Sequence, residues 1–184
     1  MDRDGTIIEE KGYICHFFES CLFPFTAEAI RRMKRNGYLA IVITNQSSIG
    51  RGICSKEQVE QLHEDLKKEL KNNDARVDGI YYSPFHDDAI IEEFRHKNHW
   101  LRKPSPGMLK LAASEWDIDL SRSFMIGDDT TDIQAGLNAG CRTALVLTGK
   151  GNETRLKLKE MGLTPDITAE NIYSAILQIE ELTR

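Results

Sequence analysis

Two short apolar runs, each broken off by a polar cluster, constrain this chain more than any other feature. Tyr38-Leu39-Ala40-Ile41-Val42-Ile43 ends in Thr44-Asn45-Gln46, and Phe124-Met125-Ile126 ends in Gly127-Asp128-Asp129-Thr130-Thr131-Asp132. Such runs read as buried strands. Strands are expected at 39–43, 79–82, 124–126 and 143–147, and helices at 26–36, 55–71, 107–116, 130–139, 153–161 and 169–182. Thr26 and Ser55 suit N-caps, the latter with Gln58 at capping-box spacing. Alternating β and α elements predict an α/β fold with a doubly wound parallel sheet and helices on both faces. No stretch between the early motifs is long enough for a cap domain, so residues 1–184 read as one domain with an open site. The loops at 11–25, 46–52 and 83–101 would then shape specificity.

The polar clusters fall where an open α/β sheet places its ligands, at the carboxyl ends of strands. Asp2-Arg3-Asp4-Gly5-Thr6 adds two carboxylates on one turn. Asp2 could attack a phosphorus atom, and Asp4 could protonate the leaving oxygen and then deprotonate water. Alone, this is an ordinary turn motif. Arg102-Lys103-Pro104 supplies a cation ahead of the helix opened by Pro106-Gly107. An acidic pair, a hydroxyl, a lysine and a second acidic cluster are the parts that Mg²⁺-assisted phosphoryl transfer requires.

With these four motifs in order, the chain resembles the haloacid dehalogenase superfamily of phosphohydrolases. Within it, the chain is most similar to the D-glycero-D-manno-heptose-1,7-bisphosphate 7-phosphatases and the related histidinol-phosphatases. The closer resemblance rests on Asp2–Thr6, Thr44-Asn45-Gln46-Ser47 with Arg51-Gly52, Glu92-Glu93-Phe94-Arg95, Arg102–Met108, Gly127-Asp128, Thr148–Gly151 and Pro165-Asp166. It implies a Rossmann-like fold and a phosphomonoesterase acting through an aspartyl-phosphate on a small phosphorylated sugar. It makes Asp2 the nucleophile and a Mg²⁺ ligand, and Asp4 the acid/base and a ligand through its carbonyl. Thr44 and Lys103 would hold the phosphoryl oxygens. Asp128 would be the second direct carboxylate, with Asp129 also near the metal; Asp129 or Asp132 would orient a metal-bound water or Lys103. Asn45, Gln46, Arg51 and Arg102 would grip the rest of the substrate.

The chain departs from that pattern twice. The family's Cys-x-His and Cys-x-Cys pairs are replaced by Ser83-Pro84-Phe85 and His99-Trp100-Leu101, so no zinc is expected. His86, His96 and His99 are read as surface groups, with His86 also a candidate for substrate contact. Phe85, Phe94, Trp100 and Leu101 are expected to pack the loop. Second, Met1 alone precedes Asp2, whereas the nucleophile should follow a central strand of about five residues. Met1 is therefore read as a methionine inside a longer first motif, with that strand missing.

The net charge of −5 argues against nonspecific nucleic-acid or anionic-membrane binding, and no 18-residue apolar run occurs. A cytoplasmic monomer is expected. Cys15, Cys21, Cys54 and Cys141 lack ligand or redox-pair spacing and read as reduced thiols. His16 and His63 read as surface residues, Trp116 as core, and Gly149-Lys150-Gly151 as a turn. The rival readings are a histidinol-phosphate phosphatase, a nucleic-acid 3′-phosphatase and a non-catalytic phosphate-binding remnant.

Overall fold

Five parallel strands and seven helices are seen in a computed structural model that describes residues 1–18 and 21–183. The strands are β1 (Ile41–Asn45), β2 (Gly79–Ser83), β3 (Phe124–Gly127), β4 (Arg142–Val146) and β5 (Ile167–Ala169). The helices are α1 (Thr26–Arg35), α2 (Ser47–Gly50), α3 (Lys56–Asn72), α4 (Gly107–Trp116), α5 (Thr130–Ala139), α6 (Gly151–Glu160) and α7 (Ile172–Leu182). The α/β reading holds.

Apolar side chains leave both faces of the strands, and each face is covered. Val42 and Ile126 join Ile30 and Met33 of α1, Leu66 and Leu70 of α3, and Ile172 and Ile176 of α7. Ile41, Ile43 and Met125 point the other way, onto Met108 and Leu109 of α4 and Ala135 of α5. Period-two alternation along a strand produces this division.

The strands form two hydrogen-bonded groups, β1-β2 and β3-β4-β5. Register runs from Ile41 opposite Gly79 to Asn45 opposite Ser83, and from Phe124 opposite Arg142 to Gly127 opposite Leu145. Met1 and Asp2 are the bridge between them. The Met1 amine donates to Ile41 O at 2.9 Å, Ile43 N donates to Met1 O at 2.8 Å, and Asp2 N donates to Ile126 O at 2.8 Å. Two residues thus occupy the end of a central-strand position. Behind them lies a cavity of about 800 Å³, lined by Met1, Ile41, Ile43, Phe124, Ile126 and Ile176 among others.

Several expectations need correction. Phe25, not Thr26, caps α1; the Thr26 hydroxyl instead donates to Ile7 O at 2.7 Å. Residues 167–169 pair with β4 as a strand, so the last helix starts at Ile172. Trp116 is 41 % exposed, its indole donating to the Tyr81 hydroxyl. Most consequentially, Cys15 and Cys54 form a disulfide, while Cys21 and Cys141 are free and buried. The pairing joins residues 39 apart in sequence, which local spacing does not reveal. The capping box at Ser55 and Gln58 is present as expected.

Candidate active site

At the carboxyl ends of β1 and β3 lies a cleft of about 460 Å³, and Asp2, Asp4, Thr44, Asn45, Gln46, Arg102, Lys103, Asp128 and Asp129 all line it. Glu10, Gly12, Tyr13, Ser47, Ser48, His86, Thr131 and Lys150 complete the wall. Four motifs spread over 130 residues of sequence meet here because β1, β3 and the N-terminal turn end at the same sheet edge.

The first turn is held by a buried guanidinium. Arg3 is 1 % exposed. Its Nη2 donates to Asp4 Oδ1 at 3.0 Å and to Gln46 Oε1 at 2.9 Å, and its Nη1 lies 2.9 Å from His63 Nε2. Gln46 Nε2 donates to Asp4 Oδ2 at 2.8 Å and to Thr44 Oγ1 at 2.9 Å. Both Asp4 oxygens are therefore aimed by fixed donors. His63 is 4 % exposed, the reverse of the surface reading; it sits on the stripe Val59, Leu62, His63, Leu66, Leu70 that α3 buries. That stripe was the sequence signal for it. Burial, then the Arg3 and Lys67 charges, push its pKa down to about 3, leaving a neutral acceptor for Arg3.

Lys103 reaches the site from the opposite side. Its Nζ lies 2.8 Å from Asp2 Oδ1, 2.5 Å from Asp132 Oδ1 and 2.9 Å from Ile43 O. Burial pulls its pKa down, but the Asp132 and Asp2 carboxylates outweigh that and hold it above the usual lysine range. It is cationic. Asn45 exchanges two 3.1 Å bonds with the Lys103 backbone, so it pins the lysine segment.

Asp128 occupies a crowded pocket. Its Oδ2 accepts from Lys150 N at 2.8 Å and its Oδ1 from Thr6 Oγ1 at 3.3 Å. A Cβ on Gly5 or on Gly149 would stand 2.2 Å from Asp128 Oδ2, and both glycines have positive φ. Only glycine lets these two turns close on the carboxylate. Burial, then the charges of Asp2 and Asp132, push the Asp128 pKa up to about 8.

Other site candidates take different places. The Asp129 carboxylate accepts from Thr131 N at 3.0 Å and caps α5, in a capping box with Asp132. The carboxylates that converge are those of Asp2, Asp128 and Asp132, with ligand atoms within 4.8 Å of one another. Arg51 stands behind the cleft wall: its Nη2 lies 3.0 Å from His86 Nε2 and 3.6 Å from Asp88. Arg102 lines the cleft and is steadied by Nη1 donating to Phe85 O at 2.8 Å. In the 83–101 loop, His99 stacks on Phe85 at 3.4 Å and Phe94 meets Phe85 edge-on, while Trp100 is 56 % exposed. His86, Asp87 and Asp88 also cluster at the surface, but His86 faces the Arg51 guanidinium.

The carboxylate cluster fits a divalent cation. Three buried carboxylates converge against one ammonium, which lies 2.8 Å from Asp2 Oδ1. A hard ion with oxygen preference matches that donor set.

The family profile described as "HAD-hyrolase-like" matches residues 100–175. The D-glycero-beta-D-manno-heptose-1,7-bisphosphate 7-phosphatase of Photorhabdus laumondii is 43 % identical over 82 % of this chain and 80 % of its own length. That of Thermosynechococcus vestitus, a D-glycero-D-manno-heptose-1,7-bisphosphate 7-phosphatase, is 36 % identical over 96 % of this chain and 91 % of its own. The crystal structure of D,D-heptose 1,7-bisphosphate phosphatase from B. bronchiseptica, complexed with magnesium and phosphate, superposes with a TM-score of 0.83. It is 27 % identical, over 98 % of this chain and 96 % of that one. With this shared sequence and fold, the chain belongs to the heptose-1,7-bisphosphate 7-phosphatase family of haloacid-dehalogenase-like phosphatases.

Proposed function

We propose that this phosphatase hydrolyses the C7 phosphate of D-glycero-D-manno-heptose 1,7-bisphosphate through an aspartyl-phosphate on Asp2. The observation that carries the reading is the juxtaposition of Asp2 with Lys103 at 2.8 Å, beside an Asp4 carboxylate oriented by Arg3 and Gln46. Asp2 attacks phosphorus and displaces the sugar oxygen, to which Asp4 delivers its proton; Asp4 then takes a proton from the water that cleaves the acyl-phosphate. Thr44 Oγ1 and Lys103 Nζ offset charge on the transferring oxygens. Asp2 and Asp128 would hold Mg²⁺, together with the Asp4 carbonyl, and the bound ion would supply charge neutralisation at the phosphoryl group. Asp132 anchors Lys103, and Asp129 caps α5 beneath the site. Arg102, His86, Tyr13 and Lys150 line the cleft and would contact the sugar.

Phosphate release from heptose 1,7-bisphosphate, histidinol phosphate and an aryl phosphate, with Mg²⁺ and with EDTA, tests the reading. Turnover should be Mg²⁺-dependent and highest in kcat/KM on the heptose. Asp2→Asn should abolish it while phosphate still binds. Wild-type activity in Asp2→Asn would remove the nucleophile assignment. Preference for histidinol phosphate would reassign the substrate.

A further inference from the structure

The cross-link between Cys15 and Cys54 ties the loop that carries Gly12 and Tyr13 to the segment between α2 and α3. Cys54 is a firm anchor: 3 % exposed, it packs with Ile49 and Val59 and directly precedes the Ser55 cap of α3. Its own N–H donates to Ser48 O at 3.3 Å, next to the turn that carries Gln46. Cys15 is half-buried on the loop that follows the first motif.

That loop is held sparsely. Among the described residues, the hydrogen bonds and ion pairs of residues 11–17 run to Glu9 and Glu10 within the loop, and Ile14 and Phe17 pack against the core. Yet Gly12 and Tyr13 line the cleft, as does Arg102. The disulfide, two residues from Tyr13, is the covalent tie that adds to this packing beside the 53 %-exposed residue.

We propose that the Cys15–Cys54 bond helps hold Tyr13 in the wall of the cleft that Arg102 also lines, so that thiol–disulfide exchange at this pair sets substrate affinity and leaves the chemical step unchanged. A dithiol would attack Sγ of Cys15, the more accessible sulfur, releasing Cys54 as a thiolate. Its second thiol then resolves the mixed disulfide. The products are two protein thiols and one cyclic disulfide, with two electrons and two protons supplied by the dithiol. Asp2, Asp4 and Lys103 are held by bonds that do not pass through the loop. Reduction would thus act on binding.

The substrate part rests on the heptose bisphosphatase reading, and the experiment separates the two. The full chain, oxidised and dithiothreitol-reduced, is compared by amide hydrogen exchange, by kcat and KM, and by calorimetric Kd for heptose 1,7-bisphosphate on Asp2→Asn protein. Reduction should speed exchange at residues 10–17 and leave β1 unchanged. KM and Kd should rise about three- to tenfold, the scale of ordering one loop side chain on binding, with kcat within about twofold. Cys15→Ser should show the reduced values and no response to dithiothreitol; Tyr13→Ala should raise KM in both states and erase the difference. Equal exchange in both states overturns the proposal, as does equal Kd, or free alkylation of both cysteines in the air-oxidised chain. Absence of turnover in both states, with the Kd and exchange differences intact, would instead remove the phosphatase reading.

Discussion

Arg3 shows how a residue between two catalytic candidates can be the one that aims them. A guanidinium at 1 % exposure is tolerated only when its donors are matched, and here they are matched by Asp4, Gln46 and neutral His63. Gln46→Leu should lower kcat about 10- to 100-fold, within the range general acid–base placement contributes, and change KM little; steady-state kinetics on the heptose substrate checks this. Asp128 makes a second prediction. In the unfolded chain its carboxyl ionises near 3.8, while in the fold it holds its proton up to about 8. The folded state binds more protons between those values, so this group's contribution falls as pH rises through that window. Metal-free protein should therefore melt at least about 4 °C lower at pH 8 than at pH 6, roughly 1–2 kcal/mol for a chain of this size. Mg²⁺ should restore more of the loss at pH 8 than at pH 6, read by calorimetry with Mg²⁺ and with EDTA. Among these residues, Asp2, Asp4, Lys103 and Asp128 were legible from motif order. The α3 stripe signals the burial of His63 but not its bond to Arg3, because a lone histidine gives no chemical sign of its partner 60 residues away.

At the scale of elements, local rules placed most of the helices. Ser55 accepts from Gln58 N at 3.2 Å while Gln58 Oε1 accepts from Ser55 N at 2.8 Å, a closed capping box. Ser55→Ala should cost about 1 kcal/mol in urea denaturation without altering kcat, since Ser55 is not among the residues that line the cleft. The short strand at 167–169 is missing from the sequence reading, which starts the last helix at 169, because three residues carry too little periodicity; pairing with β4 decides it. Thr26 resembles a cap in sequence, but Ile7 O competes for its hydroxyl. The Asp129 capping box had a signal, Asp followed three residues on by Asp132, that motif reading assigned to metal chemistry instead.

At the scale of the whole molecule, the space between β1 and β3 stands out. Met1 and Asp2 knit the two strand groups at one end, and the cavity behind them presents apolar side chains from both faces. About five extended residues, ~16 Å, would run the length of the neighbouring strands. Joining about five alternating Val and Ile residues ahead of Met1 should raise Tm by several degrees, because each buried side chain of this kind contributes about 1.5–3 kcal/mol. An equally long Ser/Glu segment should not, and an equal Tm for the two would show that the cavity does not take a strand. The sequence by itself determined the α/β alternation, the order of the four motifs and the residue types they bring, because periodicity and strand-end placement are local. Only the tertiary structure decided which groups meet: Asp132 rather than Asp129 with Asp2 and Asp128, His63 on Arg3, and Cys15 on Cys54. Those pairings depend on chain paths that bring distant segments within a few ångströms, a distance that no spacing along the sequence encodes.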